Sequence, residues 1–265
     1  MTLALITGVS GTSLTADESR FLKDVQPAGL ILFSRNCETR EQIKALVQEA
    51  RAAAGSGPML VLIDQEGGRV QRLRPPLGRT LPPGQAYAQL YVHDPEAAKS
   101  AAFQVARLVA EELKELGIDT NCAPVLDVPV AGSHDIIGDR AYGAEPKQIC
   151  DLGLAVAEGY MAGGVLPVIK HIPGHGRATT DSHLDLPVVS ASRAELERTD
   201  FAAFRRLAHL PAAMTAHVVF EAIDDRSLLP QLLSAAVLNS MLESGGTGAM
   251  QTIRWSVAIW SLGKR

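Results

Sequence analysis

Short apolar runs recur along this chain, and longer amphipathic stretches separate them. "LALITG" (3–8), "AGLILFS" (28–34), "PMLVLID" (58–64), "IDTNCAPVLDV" (118–128), "GVLPVIK" (164–170) and "AAMTAHVVF" (212–220) are apolar almost throughout rather than alternating. Strands of that kind are buried on both faces, as in parallel sheets. Residues 17–25, 38–54, 95–116, 145–162 and 192–208 read as helices. The second of these places Ile43, Leu46, Val47 and Ala50 at helical spacing, and Asp94-Pro95 opens the third with an N-cap and a first-turn proline. Strand followed by helix, repeated, means βα units.

Two architectures fit such units, a doubly wound sheet and a (β/α)8 barrel. Polar clusters follow strand after strand: "DQEGGRVQR" after the third, "DVPVAGSHDIIGDR" after the fourth, "KHIPGHG" after the fifth and "AHVVF" near the end of the sixth. A barrel gathers the ends of all its strands around one mouth. A doubly wound sheet concentrates its chemistry at one switch point, usually with a glycine-rich first turn. The first turn here, "TGVSGTSLT", has neither GxGxxG nor GxxxxGK[ST]. The expectation is therefore a TIM-type (β/α)8 barrel of the α/β class. The barrel is incomplete after its sixth strand in this reading, because nothing past residue 238 reads as a further βαβ unit.

Bulk properties narrow the partners. The 265 residues suit one barrel, and 46% apolar with 20% charged residues is ordinary for a globular chain. A net charge of −4 argues against a nucleic-acid or anionic-membrane surface. No window approaches a transmembrane span, and the N-terminal apolar run is too short, and too poor in basic residues, for a signal peptide. Cys37, Cys122 and Cys150 are odd in number and scattered, which points to a reducing compartment, so the expected location is the cytoplasm.

Three clusters could carry chemistry. Asp64 ends the third strand, with Glu66 beyond it and Arg69 and Arg72 after a Gly-Gly turn. An acid there can accept hydrogen bonds from substrate hydroxyls, and an arginine can donate in bidentate fashion; an Asp–Arg pair that merely ties the loop down is the alternative. Asp139 and Arg140 lie in a glycine-bounded loop, where a local ion pair is the plainer reading. The third cluster, "KHIPGHGRATTDSH" (170–183), holds Lys170, His171, His175, Asp181 and His183. His171 and His175 have the HxxxH spacing of a helical metal site, but Pro173, Gly174 and Gly176 oppose a helix. In the other reading Lys170 and His171 donate to a polar substrate, while Asp181 beside His183 supports an imidazole that acts as general acid and base.

Taken together, "IDQEGGRVQR", "GDRAYG" and "KHIPGHGRATTDSHLDLP", with "MTAHVVFEAID" and "LLPQLLS" after them, resemble the bacterial β-N-acetylglucosaminidases of glycoside hydrolase family 3, in their single-domain cytoplasmic branch. The resemblance runs over about residues 3–238 and implies a (β/α)8 barrel domain over 1–238. It implies retaining hydrolysis of terminal β-linked N-acetylglucosamine from muropeptides or related β-glycosides, in peptidoglycan recycling, without metal or other cofactor. It places Asp64, Arg72, Arg140, Lys170 and His171 on the sugar, His183 as general acid/base and Asp181 as its dyad partner. Most glycosidases use two carboxylates instead.

A retaining mechanism also needs a nucleophile, and the family places it in an "SDD"-like tripeptide after the seventh strand. No such tripeptide follows Leu238, and apart from Glu243 no acid occurs from residue 226 onward. The nucleophile is thus unassigned, and the expected alternative function is an inactive sugar-binding remnant. Residues 239–265 read as an atypical tail. Codons for Met250-Gln251-Thr252-Ile253, read two bases later, permit Ala-Asp-Asp, which makes a frameshift the expected origin of this tail. A complete barrel is expected to be a monomer. Unpaired strand edges in the six-strand form favour self-association.

Overall fold

The computed structural model describes residues 3–133, 135–178 and 187–223. In chain order the elements are β1 (Leu3–Thr7), α1 (Ala16–Val25), β2 (Pro27–Leu32), α2 (Arg40–Ala54), β3 (Leu60–Ile63), the hairpin strands β4 (Gln65–Gly67) and β5 (Val70–Gln71), and α3 (Gly84–His93). They continue with α4 (Pro95–Glu115), β6 (Thr120–Asn121), α5 (Pro146–Ala162), β7 (Leu166–Pro167), β8 (Ile169–Ile172), β9 (Val188–Val189), α6 (Arg193–Arg198), α7 (Asp200–Arg206), β10 (Ala213–Thr215) and β11 (Val219–Phe220).

The sheet runs β1-β2-β3-β6-β7, every pair parallel. It continues through residues 124–126, where Lys170 N donates to Pro124 O at 3.1 Å and Leu126 N donates to Lys170 O at 2.7 Å. From β8 it passes to β10, also parallel, with Ala213 opposite Ile169. Pro124 has no N–H to give the ladder, so the strand expected over 118–128 is split into β6 and this second short paired stretch.

Among the described residues the parallel sheet curves, with one face to the helices and one face inward. Leu30, Leu32, Val61 and Ile63 face the helices and join one large core with Ile43, Leu46, Val47, Val109 and Leu113. Their alternate neighbours Ile31 and Leu62 point the other way and meet Ile6 of β1 and Cys122, with Met214 of β10 packed against them. Residues of β1 and β10 thus meet at one small interior cluster, as the inward faces of a barrel wall do.

Local signals explain the helices. Thr15 and Glu18 form a reciprocal capping box at α1, Thr39 caps α2, and the Asp94 side chain accepts from Ala97 N at 3.0 Å with Pro95 in the first turn of α4. One helix departs from expectation. The helix over 192–208 breaks at Thr199 (φ −114°, ψ −86°), where the Thr199 hydroxyl bonds back to Glu195 O and Asp200 is drawn to Arg177. The glycine- and proline-rich stretch after β3 contains the β4–β5 hairpin, and α3 comes after it. A second small core, Val189, Leu196, Phe201, Ala216, Val218 and Phe220, forms where β9 pairs with β11. No helix among the described residues is long and apolar enough to cross a membrane. The tail at 239–265, and any strand past β11, lie outside the described residues.

Candidate active site at the barrel mouth

Five charged side chains, three from the segment around β3–β5, one from β8 and one from the loop before α5, form a continuous ladder of alternating sign. Asp64, just past β3, accepts from Arg72 at 3.0 Å and from Lys170 of β8 at 2.7 Å. Lys170 also lies 2.5 Å from Glu66 of β4. Glu66 in turn binds Arg140 through both its oxygens, from Nε and Nη2, each at 2.8 Å. The order is Arg72–Asp64–Lys170–Glu66–Arg140, three cations to two anions. Lys170 is only 2% exposed, the most enclosed of the five. A buried cation is tolerated only where its charge is matched, and two carboxylates match this one.

Protonation states follow from the ladder. Burial pulls the Lys170 ammonium down, but Asp64 and Glu66 outweigh it and hold it above its ordinary value. Burial likewise favours the neutral acids, yet Lys170 with Arg72 holds Asp64 well below the usual carboxylate range, and Lys170 with Arg140 lowers Glu66. All members are therefore charged at neutral pH, presenting fixed donors and acceptors to a ligand. The Arg72 Nε is a buried donor with no partner among the described residues.

The hairpin that carries Glu66 is itself pinned. Gln65 N donates to Asn121 Oδ1 at 3.0 Å, and Asn121 Nδ2 returns a bond to Gln65 O at 2.9 Å. Gln65 Oε1 accepts from Arg72 N and Leu73 N, at 3.0 and 2.9 Å. Arg69 turns outward and clasps the opposite loop through Asp135 and Asp139, the latter at 3.1 Å. The local Asp139–Arg140 pair that the sequence suggests is thus replaced. Each partner pairs across the mouth instead, and Arg140 Nη1 donates to Ile136 O at 3.0 Å. For Asp64 and Arg72 the tie and the binding reading hold together, because the pair exists and Asp64 also meets Lys170.

Beside the ladder, Asp127 is fully buried and gathers three donors. Its Oδ2 lies 2.7 Å from His171 Nδ1, and its Oδ1 accepts from His171 N at 3.2 Å and His175 N at 2.7 Å. Burial alone would raise this carboxyl, but His171 and the His175 contacts bring it down to about 2. The His171 and His175 rings meet edge-on, centroids 5.8 Å apart. Burial lowers His175 below the ordinary imidazole value, against the pull of Asp127. Pro173 and Gly174 make a turn here, not a helix, with Gly174 at φ +142° against Asp200. Gly176 lies so close to the Val128 carbonyl that a Cβ would collide with it. No group of three or more His, Cys, Asp or Glu side chains among the described residues is arranged to hold a metal ion.

The structure thus brings together Asp64, Arg72, Arg140, Lys170 and His171. Asp181 and His183 lie outside the described residues. Glu66 and Asp127 stand in the quoted clusters but were given no role from sequence. Their signal is positional, since each is an acid at or just beyond a strand's C-terminal end, as Asp64 is.

An arrangement of charge-fixed donors and acceptors at a barrel mouth suits a neutral ligand rich in hydroxyls. The model of the glycosyl hydrolase family 3 N terminal domain matches residues 3–246. The β-hexosaminidase of Alkalilimnicola ehrlichii is 40% identical over 250 residues, covering 93% of this chain and 70% of that protein. That of Thiobacillus denitrificans is 40% identical over 227 residues, covering 84% of this chain and 62% of its own. Among solved structures, native NagZ from Neisseria gonorrhoeae superimposes with a TM-score of 0.81 at 37% identity, over 87% of this chain and 66% of that one. The same protein in complex with N-trifluoroacetyl-D-glucosamine gives 0.85 at 35% identity, over 98% and 74%. The chain thus spans between 62% and 74% of the length of these relatives and structures. With the family model covering nearly all of it, the chain belongs to glycosyl hydrolase family 3, a family of glycosidases with a TIM-barrel-like fold.

Proposed function

We propose that this chain binds terminal β-linked N-acetylglucosamine at the barrel mouth and serves its hydrolysis with retention. The observation that carries the reading is the alternating ladder Arg72–Asp64–Lys170–Glu66–Arg140, with His171 beside it. Hydroxyl groups both donate and accept, and this wall offers ionised partners of both kinds at fixed positions. The N-acylglucosamine bound by the gonococcal relative is a ligand of this chemical class.

In this proposal His183 protonates the leaving oxygen and then activates water, with Asp181 as its partner. The natural substrates are muropeptides from peptidoglycan recycling or related β-glycosides, met in the cytoplasm. The three cysteines, all free, are in keeping with a reducing compartment. A second reading, a sugar-binding protein that does not cleave, is favoured by one sequence fact: residues 239–265 carry no "SDD"-like tripeptide.

Hydrolysis of an aryl β-N-acetylglucosaminide by the purified chain, with His183→Ala as control, separates the two. Turnover that the substitution lowers establishes the glycosidase. No turnover by a folded chain that still binds N-acetylglucosamine establishes the second reading. Absence of both turnover and binding would overturn the proposal.

A further inference from the structure

The sequence makes Lys170 and His171 alike as hydrogen-bond donors at one strand end. The contact with Asp127 separates them. Asp127 has no exposure and is ionised, so it only accepts. Its Oδ1 is committed to two main-chain donors, His171 N and His175 N, which cannot reverse direction. Its Oδ2, 2.7 Å from His171 Nδ1, therefore requires the ring proton to sit on Nδ1. Nε2 lies across the ring from Asp127, and no described side chain hydrogen-bonds to it. The imidazole is 18% exposed at the mouth.

We propose that Asp127 is a positioning residue that acts through His171. It holds the ring proton on Nδ1, so that Nε2 is left to meet the sugar as an acceptor for a hydroxyl proton. The two histidine amides that Asp127 also holds keep the ring plane fixed relative to Lys170. This rests on the reading of His171 as a sugar ligand. It adds a division of labour: Lys170 donates, His171 accepts, and Asp127 enforces the difference.

Asparagine at position 127 is the discriminating change. Its one carbonyl oxygen satisfies the two main-chain amides, which leaves its NH2 group facing His171 Nδ1. A donor facing Nδ1 forces the proton to Nε2 and inverts the ring. A purely structural anchor is rescued by asparagine, whereas a tautomer-setting residue is not.

The test is long-range 1H–15N correlation of the histidine side chains at about pH 8, above the ordinary imidazole range, with His171→Gln to assign the signal. Nδ1 of His171 is expected to carry the proton in the wild type and to lose it in Asp127→Asn. Titration with N-acetylglucosamine should show about tenfold weaker binding in Asp127→Asn, the scale of one lost hydrogen bond. In a His171→Gln background the same change should shift affinity by less than about twofold.

An unprotonated Nδ1 in the wild type overturns the proposal, and that spectrum needs no variant to fold beyond the assignment control. A tautomer that Asp127→Asn leaves unchanged also overturns it, as does an equal affinity loss in both backgrounds. Should the wild type bind no N-acetylglucosamine while the tautomer still inverts, the sugar reading has failed and the Asp127–His171 coupling stands.

Discussion

Lys170 is the residue on which the mouth depends. It is the cation shared by Asp64 and Glu66, and it is buried. Lys170→Met keeps the length and removes the charge, leaving two buried acids with one arginine each. Breaking such a pair costs about 3–5 kcal/mol, so a loss of about 3 kcal/mol in urea denaturation is expected, together with loss of sugar binding. A shift under about 1 kcal/mol would mean that the arginines suffice. His183 belongs to the chemistry instead. His183→Ala should cut turnover of natural β-N-acetylglucosaminides by about 10²-fold or more. The loss should be smaller for aryl substrates whose leaving group needs no proton. Equal losses in pre-steady-state glycosylation rates would remove the acid role.

At the scale of elements, β8 and the turn after it are tied to the rest of the molecule from two sides. Asp127, just past the paired stretch 124–126, holds the His171 and His175 amides from one side. Arg177 reaches the other way, to Asp200 at 2.7 Å, Glu195 at 2.7 Å and Thr199 Oγ1 at 3.0 Å, stitching this turn to the α6–α7 corner. Asp200 is fully buried, and burial raises its carboxyl despite Arg177. Arg177→Met should strand that acid and cost about 3 kcal/mol, read as a lower melting temperature. Asp200→Asn in the same chain should recover part of the loss, because the uncompensated charge is gone. No recovery would show that Arg177 acts through packing alone.

For the whole molecule, the shifted groups define a pH window. Asp64, Glu66 and Asp127 have folded values below their unfolded ones. Their stabilisation is present above the unfolded carboxylate range near about 4 and is lost as pH falls through the folded values, which for Asp127 means toward about 2. His175 is also depressed, so its contribution begins to fade earlier, as pH drops below about 6.5. Lys170 is raised, so its contribution is complete below about 10.4 and is lost only as pH climbs through its folded value. Unfolding free energy against pH should therefore be flat from near neutrality to about 8.5, above which the Cys37, Cys122 and Cys150 thiols, all raised by burial, begin to withdraw stability. It should slope down gently below about 6.5 and steeply below about 4. A maximum in the acid range would contradict this assignment of charges.

The order of elements was legible in the residues, because the signals are local. Unbroken apolar runs mark doubly buried strands, and Thr15, Thr39 and Asp94-Pro95 mark helix starts within one turn of where they act. The polar clusters after each run marked which end of the strands holds the site, and five of the named residues do converge there. What sequence could not assign was partnership. Asp64 and Lys170 are 106 positions apart, Glu66 and Arg140 are 74 apart, and Asp127 finds His171 across 44. Nothing local distinguishes Asp139, which faces outward to Arg69, from Arg140 beside it, which faces inward to Glu66. Those choices depend on sheet curvature, which brings Ile6 and Met214 to one interior cluster. The chain thus determined its elements and the side on which its chemistry lies. The curvature of the sheet decided which charges face one another, because ion pairing depends on distance in space and no residue carries that distance alone.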